Sequence, residues 1–155
     1  AALADAAPEL TFLYCGARIA AVRSVCEQFL SAVTAANLPA QVVSLGAGFD
    51  TRSIRYQREG LRFFEVDLPD TIAAKTVVQT RYKDEVNPDV RLPERVGFDL
   101  NDCEHTSLLA HLESEHGLRR DVPTLFISEA VLFYVNPRAI QNLFLSSAHV
   151  PCAQN

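Results

Sequence analysis

Residues 42–52, VVSLGAGFDTR, read together with FFEVDLP at 63–69, decide how this chain folds. An apolar run ending in Gly46-Ala47-Gly48 is a buried strand that delivers the backbone into a sharp turn. Glycines there let the main chain approach a ligand with no Cβ in the way. Asp67 follows Gly46 by 21 residues and closes the next apolar run. An acid about 20 positions on, at the end of the second strand, is where ribose hydroxyls are gripped in nucleotide-binding α/β folds. The two stretches together point to a cofactor cleft at the carboxyl ends of two strands.

Working outward, strand and helix patterns alternate along the chain, which predicts an α/β fold with a mostly parallel, Rossmann-like sheet layered by helices. Strands are expected at Gln41–Leu45, Leu61–Val66, Arg95–Leu100 and Thr124–Ser128, short runs rich in Val, Leu, Ile or Phe that suit burial on both faces. A first helix is expected over 17–36, where Ile19, Val22, Cys26, Phe29, Leu30 and Val33 recur at steps of three and four. Asn37 and Pro39 end it. Further helices are expected over 51–58, 69–82 with Pro69 in its first turn, 104–116 stopped by Gly117, and 137–148 capped by Asn136. Residues 83–94 read as a loop. Right-handed crossovers place the glycine turn directly after the first strand.

With 155 residues the chain suits a single domain, 1–155, large enough to remove roughly 68–70% of its unfolded surface from water. Fourteen Lys and Arg against 19 Asp and Glu give a net charge of −5. No basic run offers to neutralise phosphates, so nucleic acid is not an expected partner. Cys15, Cys26, Cys103 and Cys152 are scattered, without a CxxC pair, and read as reduced thiols rather than a disulfide or zinc framework. His111 and His116 in HLESEH are five apart and off a common helical face, so no metal site is expected. The apolar run VPTLFISEAVLFYV at 122–135 is too short to span a bilayer and contains Glu129, and no signal peptide pattern opens the chain. The expectation is a soluble, cytoplasmic protein. The sequence contains no methionine, and residues 144–155 trail off in small and polar types. A piece of a longer chain is expected.

Gly46, Asp67, Asp99 and Glu129 each fall at or just past the carboxyl end of a successive strand, and in a parallel sheet those ends share one rim. Each also has a purely structural reading. Asp67 could cap the helix opening at Pro69, and Asp99 could serve a turn. Glu129 sits in an apolar run where an unpaired carboxylate is costly, and an arginine could satisfy it. Arg18 shares a helical edge with Val22, Val25 and Phe29 and can point into the domain, whereas Arg23 faces water beside Glu27. Arg52 and Arg55 could reach a ligand or merely solvate a helix. Glu65 reads as structural.

The ordered set YCGARIAAVRSVCEQFL, VVSLGAGFDTR, FFEVDLP with Lys75 after it, GFDLND, and PTLFISEAVLFYV followed by Pro137 resembles the leucine carboxyl methyltransferase family of S-adenosylmethionine-dependent O-methyltransferases, over about 15–147. The resemblance implies S-adenosyl-L-methionine as cofactor. It implies that Arg18 pairs with the methionine carboxylate, a planar anion suited to a guanidinium fork, and that Glu129 lies near the amino group. It further implies Gly46 against the methionyl part, Asp67 on the ribose, and Asp99 with Leu100 at the adenine. No catalytic residue is implied. Acceptors in the family include the C-terminal leucine of phosphoprotein phosphatase catalytic subunits, a modified transfer-RNA base and small natural products. Members also carry further strands and a lid beyond the fourth strand, so the sheet is expected to be incomplete at its C-terminal side. The family's Gly-Tyr before the first-helix arginine is replaced here by Cys15-Gly16-Ala17.

Two other readings stand beside this one. A Rossmann NAD(P)- or FAD-binding oxidoreductase also suits Gly46-Ala47-Gly48 with a following acid, although its third glycine position is Thr51. A truncated, non-catalytic cofactor-binding or interaction fragment is the other.

Overall fold

The computed structural model describes residues 2–147, with side chains over 11–145. His149, Cys152 and the rest of the polar tail lie outside the described residues. The chain order is α1 (Ala2–Ala35), β1 (Ala40–Leu45), α2 (Arg52–Arg55), β2 (Leu61–Asp67), α3 (Pro69–Glu85), β3 (Glu94–Gly97), a 3₁₀ turn at Leu100–Glu104, α4 (Leu108–His116), β4 (Thr124–Ser128), a second 3₁₀ turn at Leu132–Tyr134, and α5 (Pro137–Ser147).

The strands form one all-parallel sheet among the described residues, in the order β3-β2-β1-β4. Leu45 of β1 stands opposite Val66 on one side and Ser128 on the other. The chain winds outward from β1 to β3 and then returns across β1 to lay down β4. Strand order therefore reverses between β1 and β4, and the crevice beyond their carboxyl ends is where a parallel sheet receives ligands.

β1 is buried along its whole length because helices cover both faces of the sheet. On one face Val43, Leu45, Phe64, Val66 and Val96 meet the α4 and α5 side, including Leu108, Leu112, Ala139 and Leu143. On the other, Val42, Phe63 and Ile127 pack against Cys26, with Val22 and Phe29 of α1 alongside. Each fully buried apolar side chain of this kind contributes about 1.5–3 kcal/mol relative to exposure. Gln41 is 2% exposed yet satisfied: its amide donates to Arg119 O and Thr124 Oγ1 and accepts from the Arg119 N–H, which ties β1 to the approach of β4.

Several boundaries differ from expectation, most of them for local reasons. α1 starts at Ala2 instead of 17; the added stretch is rich in Ala and Leu but runs through Pro8 and Gly16, which disfavour a helix interior, so local propensity did not announce it. It stops as read from the sequence, with Asn37 left-handed at φ 53° and the Leu38 N–H closing on Val33 O. α3 runs to Glu85, three residues into the expected loop, where Arg81 pairs with Glu85 at i,i+4. β3 is shorter than expected. The chain leaves the sheet after Gly97 because Asp99 accepts the Asn101 N–H and starts a 3₁₀ turn. α4 accordingly begins at Leu108, where Ser107 caps it by accepting the Ala110 N–H, and ends at left-handed Gly117. α2 is a single turn. α5 begins at Pro137 with Asn136 accepting the Ala139 N–H, as its sequence predicts.

Candidate cofactor site

Gly46 is the first residue past β1, and its backbone is left-handed at φ 64°. A Cβ there would stand 2.5 Å from Val131 Cγ2 and 2.6 Å from Val131 Cβ. The need for glycine thus comes from conformation and from the close approach of the segment after β4. That segment is itself strained. Ala130, between Glu129 and Val131, has φ 57°, a region that non-glycine residues occupy at a cost of order 1 kcal/mol and that recurs at ligand sites.

The turn is braced from beneath. The Ala47 N–H donates to Val66 O, and the Gly48 N–H donates to Asp67 Oδ2 at 2.7 Å. Asp67 Oδ1 accepts the Leu68 N–H, and no Asp67 bond caps α3, whose N-cap position belongs to Leu68. Asp67 therefore couples the end of β2 to the glycine turn. A carboxylate offers about four lone-pair sites, so acceptor capacity remains toward the cleft. Deeper still, Lys75 Nζ lies 3.0 Å from Glu65 Oε1 and 3.4 Å from Ala47 O, and Ser53 Oγ donates to the same Glu65 oxygen. This buried cluster locks α2, α3 and the turn to β2.

Two cavities meet at Gly46. The first, about 400 Å³, is lined by Arg18, Gly46, Asp50, Arg52 and Glu129. The second, about 440 Å³, is lined by Gly46, Asp67, Phe98, Asp99, Leu100 and Val135. Both volumes fall within the range of ligand pockets. One half is charged. The other combines carboxylates with an apolar wall.

All six residues singled out from the sequence are brought to these cavities. Arg18 reaches in from α1 and donates from Nε to Glu129 Oε1 at 2.8 Å, with its guanidinium 5.6 Å from the Tyr14 ring. Arg23 instead pairs with Glu27 in water. Asp99 accepts from the Asn101 backbone and side chain, and the Asn101 amide oxygen accepts the Asn136 N–H, so the rim of the second cavity is joined to the start of α5. Leu100 is buried against the core while presenting part of its surface to the cavity.

Arg52 is the residue whose importance sequence reasoning left open. Its Nη2 donates to Glu129 Oε2 at 2.6 Å and its Nη1 to Asp50 Oδ2 at 2.8 Å. Burial by itself would raise the Glu129 carboxyl, but hydrogen bonds from Arg52 and then Arg18, with their charges, outweigh it and hold the group below the usual carboxylate range. Glu129 is thus an anion poised between two cations. The signal for Arg52 lay in the short Asp50-Thr51-Arg52 spacing, which lets the Asp50 carboxylate accept both the backbone and a side-chain N–H of Arg52. Val131 carried no such signal.

His111 and His116 make a ring contact that their five-residue spacing did not announce. Their rings meet edge-on with centroids 5.2 Å apart, because His116 ends α4 and its Nδ1 is drawn 2.8 Å from Glu94 Oε1 on β3. Among the described residues no helix is long and apolar enough to cross a membrane.

A parallel sheet with a glycine turn after β1 and a two-part cleft at the strand-order reversal is the architecture in which α/β proteins receive nucleotide cofactors. Comparison with known proteins gives the family: the model for leucine carboxyl methyltransferase matches residues 6–148, and the chain belongs to that family. A Mycobacterium avium (strain 104) protein provisionally named as an S-adenosyl-L-methionine-dependent methyltransferase is 33% identical over 128 residues, covering 82% of this chain and 38% of that protein. A Mycobacterium tuberculosis (strain ATCC 25618 / H37Rv) protein of the same provisional name is 32% identical over 120 residues, covering 77% and 34%. Leucine carboxyl methyltransferase 1 of Rattus norvegicus is 28% identical over 157 residues, covering 88% and 45%. The chain therefore spans less than half the length of these relatives.

Proposed function

We propose that the chain is one cofactor-binding domain of an S-adenosylmethionine-dependent O-methyltransferase, with Arg18, Gly46, Asp67, Asp99, Leu100 and Glu129 as the cofactor-binding residues. The observation that carries the reading is the meeting of two chemically different cavities at Gly46. A ligand with an amino-acid end, a ribose and a flat heterocycle matches that division. The charged cavity suits the amino-acid end, with Arg18 for its carboxylate and Glu129 for its ammonium. In this reading Asp67, which lines the second cavity, accepts from the ribose hydroxyls. Asp99 supplies an acceptor and Leu100 an apolar surface for the heterocycle.

The bound cofactor supplies an electrophilic methyl group on a sulfonium. The protein's share is orientation and exclusion of water, through residues already fixed by the bracing under the turn. A carboxylate acceptor, such as a protein C-terminal leucine, has a pKa of about 3.3–3.7 and is ionised at neutral pH, so no general base is required. The name of the rat relative supports this acceptor class, and the C-terminus of a phosphoprotein phosphatase catalytic subunit is the acceptor to test first.

The deciding experiment is isothermal titration of the folded chain with S-adenosylhomocysteine, with NADH in parallel. Binding of the first alone is the expected result. Binding of NADH alone assigns the cleft to a dinucleotide oxidoreductase. Binding of neither by a folded chain assigns it to a fragment without a working cofactor site.

A further inference from the structure

Glu129 holds two arginines that are not equivalent. Arg18 is 33% exposed and pairs with the Glu129 carboxylate. Arg52 is 13% exposed and is fixed at its other end, since Asp50 accepts from both its Nη1 and its backbone N–H. Arg18 is therefore the exchangeable partner and Arg52 the anchored one. Both face the charged cavity.

Resting on the cofactor reading above, we propose that Arg52 is a positioning residue: it holds Glu129 in place as an anion when Arg18 gives up Glu129 for the ligand carboxylate. The exchange conserves charge. Arg18 leaves Glu129 Oε1, which then accepts from the ligand ammonium, while Oε2 stays on Arg52. Without Arg52, Glu129, only 16% exposed, is left with the ligand ammonium as its one cationic partner once Arg18 is drawn away, a weaker pairing that makes uptake of a proton easier. The internal Arg18–Glu129 pair is in this sense a stand-in for the two ionic contacts of an amino-acid ligand.

The titratable and charged groups around Glu129 are few. On α1 they are Arg18, with Tyr14 and Cys15 beside it, and Cys26, whose thiol burial pushes up. On the glycine turn and α2 they are Asp50 and Arg52, with Arg55 of α2 lining the same cavity. The segment after β4 adds only apolar Ala130 and Val131. Among the described residues, loss of Arg52 leaves Arg18 as the one cation hydrogen-bonded to Glu129, and Arg18 is the one that the ligand recruits.

The test compares two ligands by calorimetry: S-adenosylhomocysteine, which has the amino-acid end, and 5′-methylthioadenosine, which lacks it. Arg52→Gln should weaken the first by about tenfold or more, the scale of one charge-assisted hydrogen bond, and leave the second unchanged. Its affinity for the first should also fall as pH is lowered from 7 to 5, where wild type stays flat, because Glu129 now takes up a proton more easily. Arg52→Lys, which keeps the charge and loses the fork, should show a smaller loss and a flat pH profile. It serves if the glutamine variant does not fold. Equal loss for both ligands, or no loss for either, overturns the proposal and leaves the cofactor site standing. Wild-type chain that is folded and binds neither ligand overturns the cofactor reading and this proposal with it.

Discussion

Lys75 Nζ and Glu65 Oε1 form an ion pair 3.0 Å apart with each side chain 2% exposed, directly beneath the glycine turn. Removing one partner strands the other charge in the core. Lys75→Met should therefore destabilise the fold by about 3–5 kcal/mol, whereas Glu65→Leu combined with Lys75→Met should cost less than either single change. Urea denaturation of the three variants decides it. A double variant no better than the singles would show that the cluster's hydrogen bonds to Ser53 and Ala47, and not charge balance, set its worth.

Gly46 and Gly48 both have positive φ, at 64° and 41°, but their surroundings differ. A Cβ on Gly48 meets nothing within 4 Å, while one on Gly46 collides with Val131. Gly48→Ala should cost about 1–2 kcal/mol from backbone strain alone, and Gly46→Ala distinctly more. Val131→Ala should not rescue Gly46→Ala, because the Val131 Cβ itself would stand 2.6 Å away. Equal denaturation midpoints for the two alanine variants would contradict this.

Asp67→Ala should weaken S-adenosylhomocysteine binding by about 1.5–3 kcal/mol, the scale of a hydrogen bond to a charged group. Asp67 also holds the Gly48 N–H, so folding of the variant is checked by circular dichroism before titration. Unchanged affinity in a folded variant would confine Asp67 to bracing the turn.

Glu129 titrates below its ordinary value of 4.5 in the folded chain. Its pairing with Arg52 and Arg18 therefore adds stability that is present above pH 4.5 and is lost as pH falls through the depressed folded value. Glu129→Gln should remove that component of the acid sensitivity. Thermal unfolding between pH 7 and pH 3 measures it, and a variant whose midpoint falls as steeply as wild type below pH 4.5 would show that other carboxylates carry the acid response.

Much of this was legible in the residues themselves. Continuous apolar runs announced doubly buried strands, and the alternation of strand and helix patterns announced a parallel sheet, because burial on both faces leaves no polar alternation to read. Gly46, Asp67 and Glu129 could be placed on one rim from position alone, since every parallel strand ends at the same edge. Asn37, Gly117 and Asn136 marked helix ends through backbone and capping chemistry that acts within a few residues.

What depends on contacts distant in sequence could not be read there. The placement of β4 beside β1, which creates the crevice, comes from the packing of helices on both faces. The early end of β3 reflects competition between a ladder and an Asp99 turn that differ little in local propensity. The close approach that adds to the left-handed backbone in requiring glycine at 46 comes from Val131, 85 residues away, and the contact of Arg52 with Glu129 spans 77 residues. Sequence by itself determined the order and type of the main strands and helices, the family and which residues fall at the strand ends, because those follow from local patterns. Only the tertiary structure decided which cation faces which anion, because ion pairing across a cleft depends on distances that spacing along the chain does not encode.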